Sequence, residues 1–239
     1  MGAVTGSTLG EWLLRPFRLI SGLVYPRICL CCSAAEPVMG DYLCLPCAHA
    51  LPDTGQVTQV ENTFTDRFLG RVRLERGASL YYYSSDSRVQ QLIHHLKYYH
   101  KPEIGTYFGN LLGKRLAAGD WPPVDAVIPV PLHPKKLHIR GYNQAERFGA
   151  GLAEALGVPQ YPHGLRRADY RESQTRKGKA ERLANVSNAF LLGTHDLTDK
   201  HILLVDDVLT TGATLESCAQ PLVEVPGIKI SMVTIAMAG

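Results

Sequence analysis

The sequence predicts an α/β fold, a mainly parallel twisted sheet with helices on both faces, preceded by a small cysteine-bearing module. Three observations carry this. Short apolar runs alternate with segments of helical spacing along residues 78–239. One of those runs passes straight into two carboxylates and then Thr-Thr-Gly-Ala-Thr. Five of the six cysteines crowd into residues 29–47. Strands buried on both faces read as continuous apolar runs, whereas strands with one wet face alternate. The runs here are of the continuous kind.

The elements follow in order. Residues 1–51 form an N-terminal helix and the cysteine module, 52–77 a polar linker or loosely paired strands, and 78–239 the main domain. Trp12, Leu13, Phe17, Ile20 and Leu23 suit a short packing helix. Arg15, Pro16 and Arg18 interrupt that stretch well below the roughly 20 residues needed to span a bilayer. Ala78–Tyr83 is strand-like. Ser87–Tyr98 has helical spacing through Val89, Leu92, Ile93 and Leu96, with Ser85 or Asp86 as its cap. Ile104–Leu116 reads as a second helix and Val124–Val130 as a buried strand. A helix runs from about Asn143 to Leu156, where Gly157 ends it. His201–Val205 and Lys229–Met237 complete the apolar runs, with a helix from Ala213 to about Val223 between them.

Cys29-x-x-Cys32 and Cys44-x-x-Cys47 are two knuckle pairs, joined by a spacer whose Gly40-Asp41 suits a hairpin turn. Two such turns aim four thiolates inward and complete a tetrahedral, structural zinc site with no open position for chemistry. Cys31 and His49 are substitutes within the set. Disulfides are the alternative. No export signal is legible, so a cytoplasmic chain with reduced or metal-bound thiols is expected, which disfavours them. A segment this small has little core, so the metal would supply folding energy. Cys218 reads as the core residue of a helix.

The chemistry concentrates in Leu203-Leu204-Val205-Asp206-Asp207-Val208-Leu209-Thr210-Thr211-Gly212-Ala213-Thr214. In an open parallel sheet, ligands bind at the carboxyl ends of strands. The helix starting near Ala213 turns its unpaired N–H groups and positive dipole end to that point. Gly212 lets the backbone curl round an anion, and the hydroxyls of Thr210, Thr211 and Thr214 add donors without charge. That is a phosphate cradle. Asp206 and Asp207 would repel a phosphate, but suit the 2′- and 3′-hydroxyls of a ribose. A helix cap followed by a plain turn would explain part of this pattern and leave the rest unexplained.

This stretch resembles the signature of the type I phosphoribosyltransferases. The resemblance implies that Asp206 and Asp207, the catalytic pair, hold the ribose hydroxyls of phosphoribosyl pyrophosphate. It puts the 5-phosphate among Thr210, Thr211, Gly212, Ala213 and Thr214, and Mg²⁺ on the pyrophosphate rather than in a protein cage. A second block is Ile128-Pro129-Val130-Pro131-Leu132-His133-Pro134-Lys135-Lys136, followed by Arg140-Gly141-Tyr142-Asn143-Gln144-Ala145. With His94–Tyr98, Gln174, Arg182, Asn185 and the four-cysteine module, it makes the chain similar to the competence protein F (ComF) family. That family joins a zinc module to a phosphoribosyltransferase-like domain. By position, Val130, Pro131, Leu132 and His133 then form the pyrophosphate loop, with backbone N–H groups from its non-proline residues. Lys135, Lys136 and Arg140 add charge, or serve only solubility. Arg176, Lys177, Lys179 and Arg182 occupy a stretch suited to a lid or to DNA contact.

The charge distribution agrees. The chain carries a net +3, but eleven Lys and Arg against five Asp and Glu between His133 and Arg182 leave a local excess of six. Such a patch attracts anions, or is a solvated helix face. The resemblance implies a protein that handles single-stranded DNA in natural transformation, with a competence helicase as a partner. An active transferase acting on an amine or nucleobase is the alternative, and a sensor without turnover the third. The chain stops at Gly239 directly after its last apolar run, so no C-terminal hood for an acceptor is expected. The zinc module is then the material left to cover the site. No base-specificity signature and no N-terminal nucleophilic cysteine are legible, which speaks against a complete glutamine amidophosphoribosyltransferase.

Overall fold

The computed structural model describes residues 28–34, 36–37, 42–168 and 189–239. The chain divides into two compact units, Met1–Ala50 and Leu51–Gly239. The expected helix around Trp12 and the Gly40-Asp41 turn lie outside the described residues.

In the first unit, Ser33 N–H donates to the Cys29 carbonyl (2.9 Å) and Ala48 N–H to the Cys44 carbonyl (3.0 Å), closing one tight turn at each cysteine pair. Leu30 N–H donates to the Tyr42 carbonyl (2.9 Å) and ties the two turns together. The second turn opens the short helix α1, Leu45–His49. Leu43, Cys29, Cys44 and Cys47 are buried.

The second unit begins with a stretch whose polarity predicts a linker. It holds a 3-10 turn, Gln56–Thr58, and a short helix α2, Thr63–Asp66. Asn62 and Thr65 form a reciprocal capping box there, and the Asn62 amide donates to the Gly77 carbonyl (2.9 Å). Phe64 and Phe68 are fully buried, with ring centroids 5.7 Å apart. So 52–77 is part of the core.

From there the α/β alternation is as expected. Strand β1 (Gly77–Tyr83) leads to helices α3 (Arg88–Tyr98) and α4 (Glu103–Ala118). Ser87, not Ser85 or Asp86, caps α3, because its hydroxyl is the one that reaches Gln90 N–H (3.1 Å). Strand β2 spans Ala126–Pro129. The stretch after it, for which the sequence offered no element, contains a seven-residue helix α5, Pro134–Arg140, with no buried residue. Helix α6 (Gln144–Leu156) starts at an Asn143 cap and stops at Gly157, as expected. Strands β3 (Leu165–Arg167) and β4 (Phe190–Leu192) pair antiparallel, a small sheet that the sequence did not signal. Strand β5 runs His201–Leu209, helix α7 Ala213–Val223 and strand β6 Lys229–Ala238.

The main sheet has the order β1-β6-β5-β2, and all its pairs are parallel. Alternate side chains of each strand feed opposite layers. On one face Ala126, Ile128, Ile202, Leu204 and Met232 pack with Leu215, Cys218, Ala219 and Leu222 of α7, and with Phe64 and Phe68. On the other, α6 lies so close that a Cβ on Gly149 would sit 3.2 Å from Val127 and Val205. Helix α4 packs on α6 through glycines. A Cβ on Gly109 would meet the Phe148 carbonyl oxygen at 2.1 Å, and one on Gly151 the Thr106 oxygen at 2.1 Å. No helix among the described residues is long and apolar enough to cross a membrane.

Candidate functional site

The carboxyl ends of β1, β2 and β5 open on one cleft of about 350 Å³. Its wall brings the two sequence blocks together. Val130, Pro131, Leu132, Lys136 and Arg140 come from the turn after β2 and from α5, and Asp206, Asp207, Thr210 and Thr214 from the end of β5 and from α7. Strand β5 does not stop before the carboxylates. It continues to Leu209, with Asp206 opposite Thr234 of β6. The two acids therefore sit on rigid ladder rather than on loop, and alternation sends them to opposite faces. Asp206 shares its face with Ile202 and Leu204, above α7, while Asp207 meets α3.

Asp207 Oδ2 is 3.2 Å from Lys97 Nζ. Asp207 N–H donates to Asp206 Oδ1 (2.8 Å). Burial first, and the neighbouring Asp207 charge second, push the Asp206 carboxyl up to about 7. Asp207 N–H, Lys97 and Lys136 pull the other way without prevailing. Four cations, Lys97, Lys136, Arg140 and Arg167, face these two carboxylates across the cleft. The cleft is thus net positive, yet keeps two acceptors for hydroxyl groups.

Gly212 is the N-cap of α7, at φ +85°, in the left-handed region that L side chains rarely adopt. Beneath it lies Phe68, whose ring carbons would stand 3.2 and 3.3 Å from a Cβ at that position. Arg67 donates to the carbonyls of Thr210 and Ala238. The supposed linker is therefore the floor of the Thr210–Thr214 turn, and local pattern did not reveal this. Thr211 Oγ accepts from Ala213 N–H (3.4 Å) and is directed at its own helix end. Thr211, Gly212 and Ala213 shape the turn, and Thr210 and Thr214 line the cleft.

The turn after β2 corrects one expectation. Val130 N–H donates to the Val205 carbonyl (2.9 Å), so that amide is committed to the sheet and unavailable to a ligand. Leu132 and His133 remain as amide donors. His133 Nδ1 accepts from Lys135 N–H (3.1 Å) and caps α5, and neither His133 nor Lys135 lines the cleft. Asn143 holds the turn, its amide donating to the Val130 carbonyl (2.9 Å) while its oxygen caps α6. Tyr83 and Arg167 line the cleft without having been given a role, and so do Lys97, Asn143 and Gln144, which lie in stretches quoted for the resemblance. Arg167 donates to the Pro131 carbonyl (3.1 Å) and stacks on Phe190, 4.6 Å from its ring centre. Arg176, Lys177, Lys179 and Arg182 lie outside the described residues.

In the first unit the Sγ atoms of Cys29, Cys32, Cys44 and Cys47 all lie within 4.8 Å of one another. Cys32 and Cys44 stand 3.7 Å apart. A tetrahedral zinc with sulfurs at its usual bond length needs an edge of about 3.8 Å, so the donor set fits. Cys31 and His49 are not in this group. Burial pushes the Cys29 thiol up, but the backbone N–H groups of Cys44, Cys32 and Cys31 aimed at its sulfur outweigh that and hold it at about 6. That favours the thiolate a metal requires.

A four-stranded parallel sheet flanked by helices, with the phosphate-loop pattern at the end of a central strand, defines a phosphoribosyltransferase-type domain. Residues 143–237 match the family model of the phosphoribosyl transferase domain. The chain is similar to competence F proteins over part of its length, in agreement with the resemblance read from its motifs. It is 34% identical to competence protein F of Haemophilus influenzae over 98 residues, 40% of this chain and 43% of that protein. It is 38% identical to competence protein ComFC of Bacillus subtilis over 98 residues, 41% of this chain and 38% of that one. DNA utilization protein YhgH of Salmonella typhi is 30% identical over 133 residues, 54% of this chain and 58% of that protein. The matches span about half the length of these relatives or less.

Proposed function

We propose that the cleft binds phosphoribosyl pyrophosphate with Mg²⁺, and that the protein acts in DNA uptake. The observation that carries the first half is the pairing of two strand-end carboxylates, Asp207 buried and Asp206 half-buried, with a glycine-capped helix N-terminus in one cationic cleft. In this reading Asp206 and Asp207 accept hydrogen bonds from the ribose hydroxyls. The 5-phosphate lies against Thr210, Thr214 and the N–H groups at the start of α7. The pyrophosphate, carrying Mg²⁺, lies against Leu132, Lys136 and Arg140. The four cysteines hold one structural zinc.

Calorimetric titration with phosphoribosyl pyrophosphate and Mg²⁺ tests the binding. One site per chain is expected, lost in Asp206→Asn/Asp207→Asn, and no binding by the wild-type protein would refute the reading. Adding candidate amines or nucleobases and measuring released pyrophosphate distinguishes a transferase from a binder.

The names of the relatives support the DNA half, and so does one surface. Tyr98 and Tyr99 are more than half exposed at the end of α3, and Arg140 stands 5.4 Å over the Tyr98 ring. Aromatic faces beside cations suit the stacked bases and phosphates of a single strand. Oligonucleotide affinity is expected to fall as salt rises and in Tyr98→Ala. Affinity unchanged by both would remove this half of the reading. A competence helicase as partner belongs to the same reading, and a pull-down with the purified helicase tests it.

A further inference from the structure

We infer that Lys97 is a binding residue that changes partner, holding Asp207 before a ligand arrives and moving to the ligand's pyrophosphate when a ribose takes Asp207. The inference rests on the proposed ligand and extends it to a residue that neither sequence block contains.

Lys97 lies on the last turn of α3, a helix whose Leu92, Ile93 and Leu96 are buried while Lys97 faces the cleft. The end of α3 is pinned to the second block twice. The Tyr142 hydroxyl donates to the Leu96 carbonyl, next to Lys97 in the chain, and Arg140 covers the ring of Tyr98 on its other side. Lys97 and Arg140 therefore enter the same cleft from backbones tied together, one at Asp207 and the other at the turn after β2.

The chemistry of the exchange follows from what each partner offers. In the structure the ammonium, 3.2 Å from Asp207 Oδ2, offsets one of two adjacent carboxylates. A ribose hydroxyl can replace it as a hydrogen-bond donor to Asp207, but carries no charge. The released ammonium then sits beside a multiply charged anion, to which it makes a charge-assisted bond. Lysine suits this better than arginine. Its charge is compact and its stem flexible, whereas a guanidinium is a rigid fork. In either state Asp207 keeps a hydrogen-bond donor and the ammonium an anionic partner.

A residue that only held Asp207 in place would serve every ribose ligand alike, and three probes separate the cases. They are phosphoribosyl pyrophosphate with Mg²⁺, ribose 5-phosphate, and inorganic pyrophosphate with Mg²⁺, each titrated into wild-type, Lys97→Met and Lys97→Arg protein. The exchange predicts that Lys97→Met weakens phosphoribosyl pyrophosphate by roughly tenfold or more. It leaves ribose 5-phosphate, and inorganic pyrophosphate, which brings no ribose to release the ammonium, within about twofold, and Lys97→Arg restores part of the loss. An equal loss for ribose 5-phosphate or for inorganic pyrophosphate overturns the exchange. If Lys97→Met does not fold, Lys97→Gln, which keeps a polar end on a stem one atom shorter, takes its place under the same criteria. Failure of the wild-type protein to bind any probe would instead remove the parent reading, so the two failures are distinct.

Discussion

Gly212→Ala tests whether the backbone of the phosphate turn is set by what lies beneath it. At φ +85° an alanine methyl meets the strain of the left-handed region, about 1–2 kcal/mol. It also meets the Phe68 ring at 3.2 and 3.3 Å. That ring cannot yield easily, because it is fully buried and packed against Phe64. Together the two effects reach about 2–3 kcal/mol. For a chain of this size that lowers the melting temperature by roughly 5–10 °C. Displacing the first N–H groups of α7 should also weaken phosphoribosyl pyrophosphate by roughly tenfold or more. Thermal melts and calorimetry on the same preparations read both quantities. A cycle with Phe68→Leu separates strain from contact, since the alanine should cost less where the ring is gone. A melting temperature and an affinity both indistinguishable from wild type would refute the reasoning.

Three further outcomes are expected. Asp206 titrates higher in the folded protein than in the unfolded chain, so its burden on stability is absent below about pH 4, builds up as pH rises to about 7 and is full above that. Asp206→Asn should therefore stabilise the ligand-free protein by ~1–3 kcal/mol at pH 8 and little at pH 4, as read from urea melts. His201 behaves oppositely in its effect on pH. Burial lowers its pKa, and its ring nitrogens face the Pro123 carbonyl (2.8 Å) and the Ser231 hydroxyl (2.9 Å). Its neutral form fits, so stability is full above the ordinary histidine range and lost as pH falls below it. His201→Gln should flatten that dependence in melts between pH 5 and 8. Zinc content should be one per chain, and it should fall together with the folding of the Met1–Ala50 unit in Cys44→Ser, by metal analysis and circular dichroism.

What the sequence disclosed was local. β2, β5 and β6 are buried on both faces, so their residues form unbroken apolar runs. The Asp206–Thr214 turn is contiguous in the chain, and the two cysteine pairs lie only eleven residues apart. What escaped was tertiary. Phe64 and Phe68 are buried within a polar stretch, and Asn62 and Thr65 cap a helix of only four residues, too short to leave a period. Lys97 and Arg167 reach the cleft from elements far from either block. The Val130 amide could be seen as spent only once β2 was known to pair with β5. The pairing of β3 with β4 joins two three-residue segments more than twenty residues apart, for which no sequence period exists.

A crystal structure of the protein with phosphoribosyl pyrophosphate and Mg²⁺ tests the central claim most directly. The account predicts the 5-phosphate at the Thr210–Thr214 turn, the ribose hydroxyls on Asp206 and Asp207, and the pyrophosphate beside Leu132, Lys136 and Arg140. A ligand bound elsewhere, or a cleft still empty at saturating ligand, would contradict it.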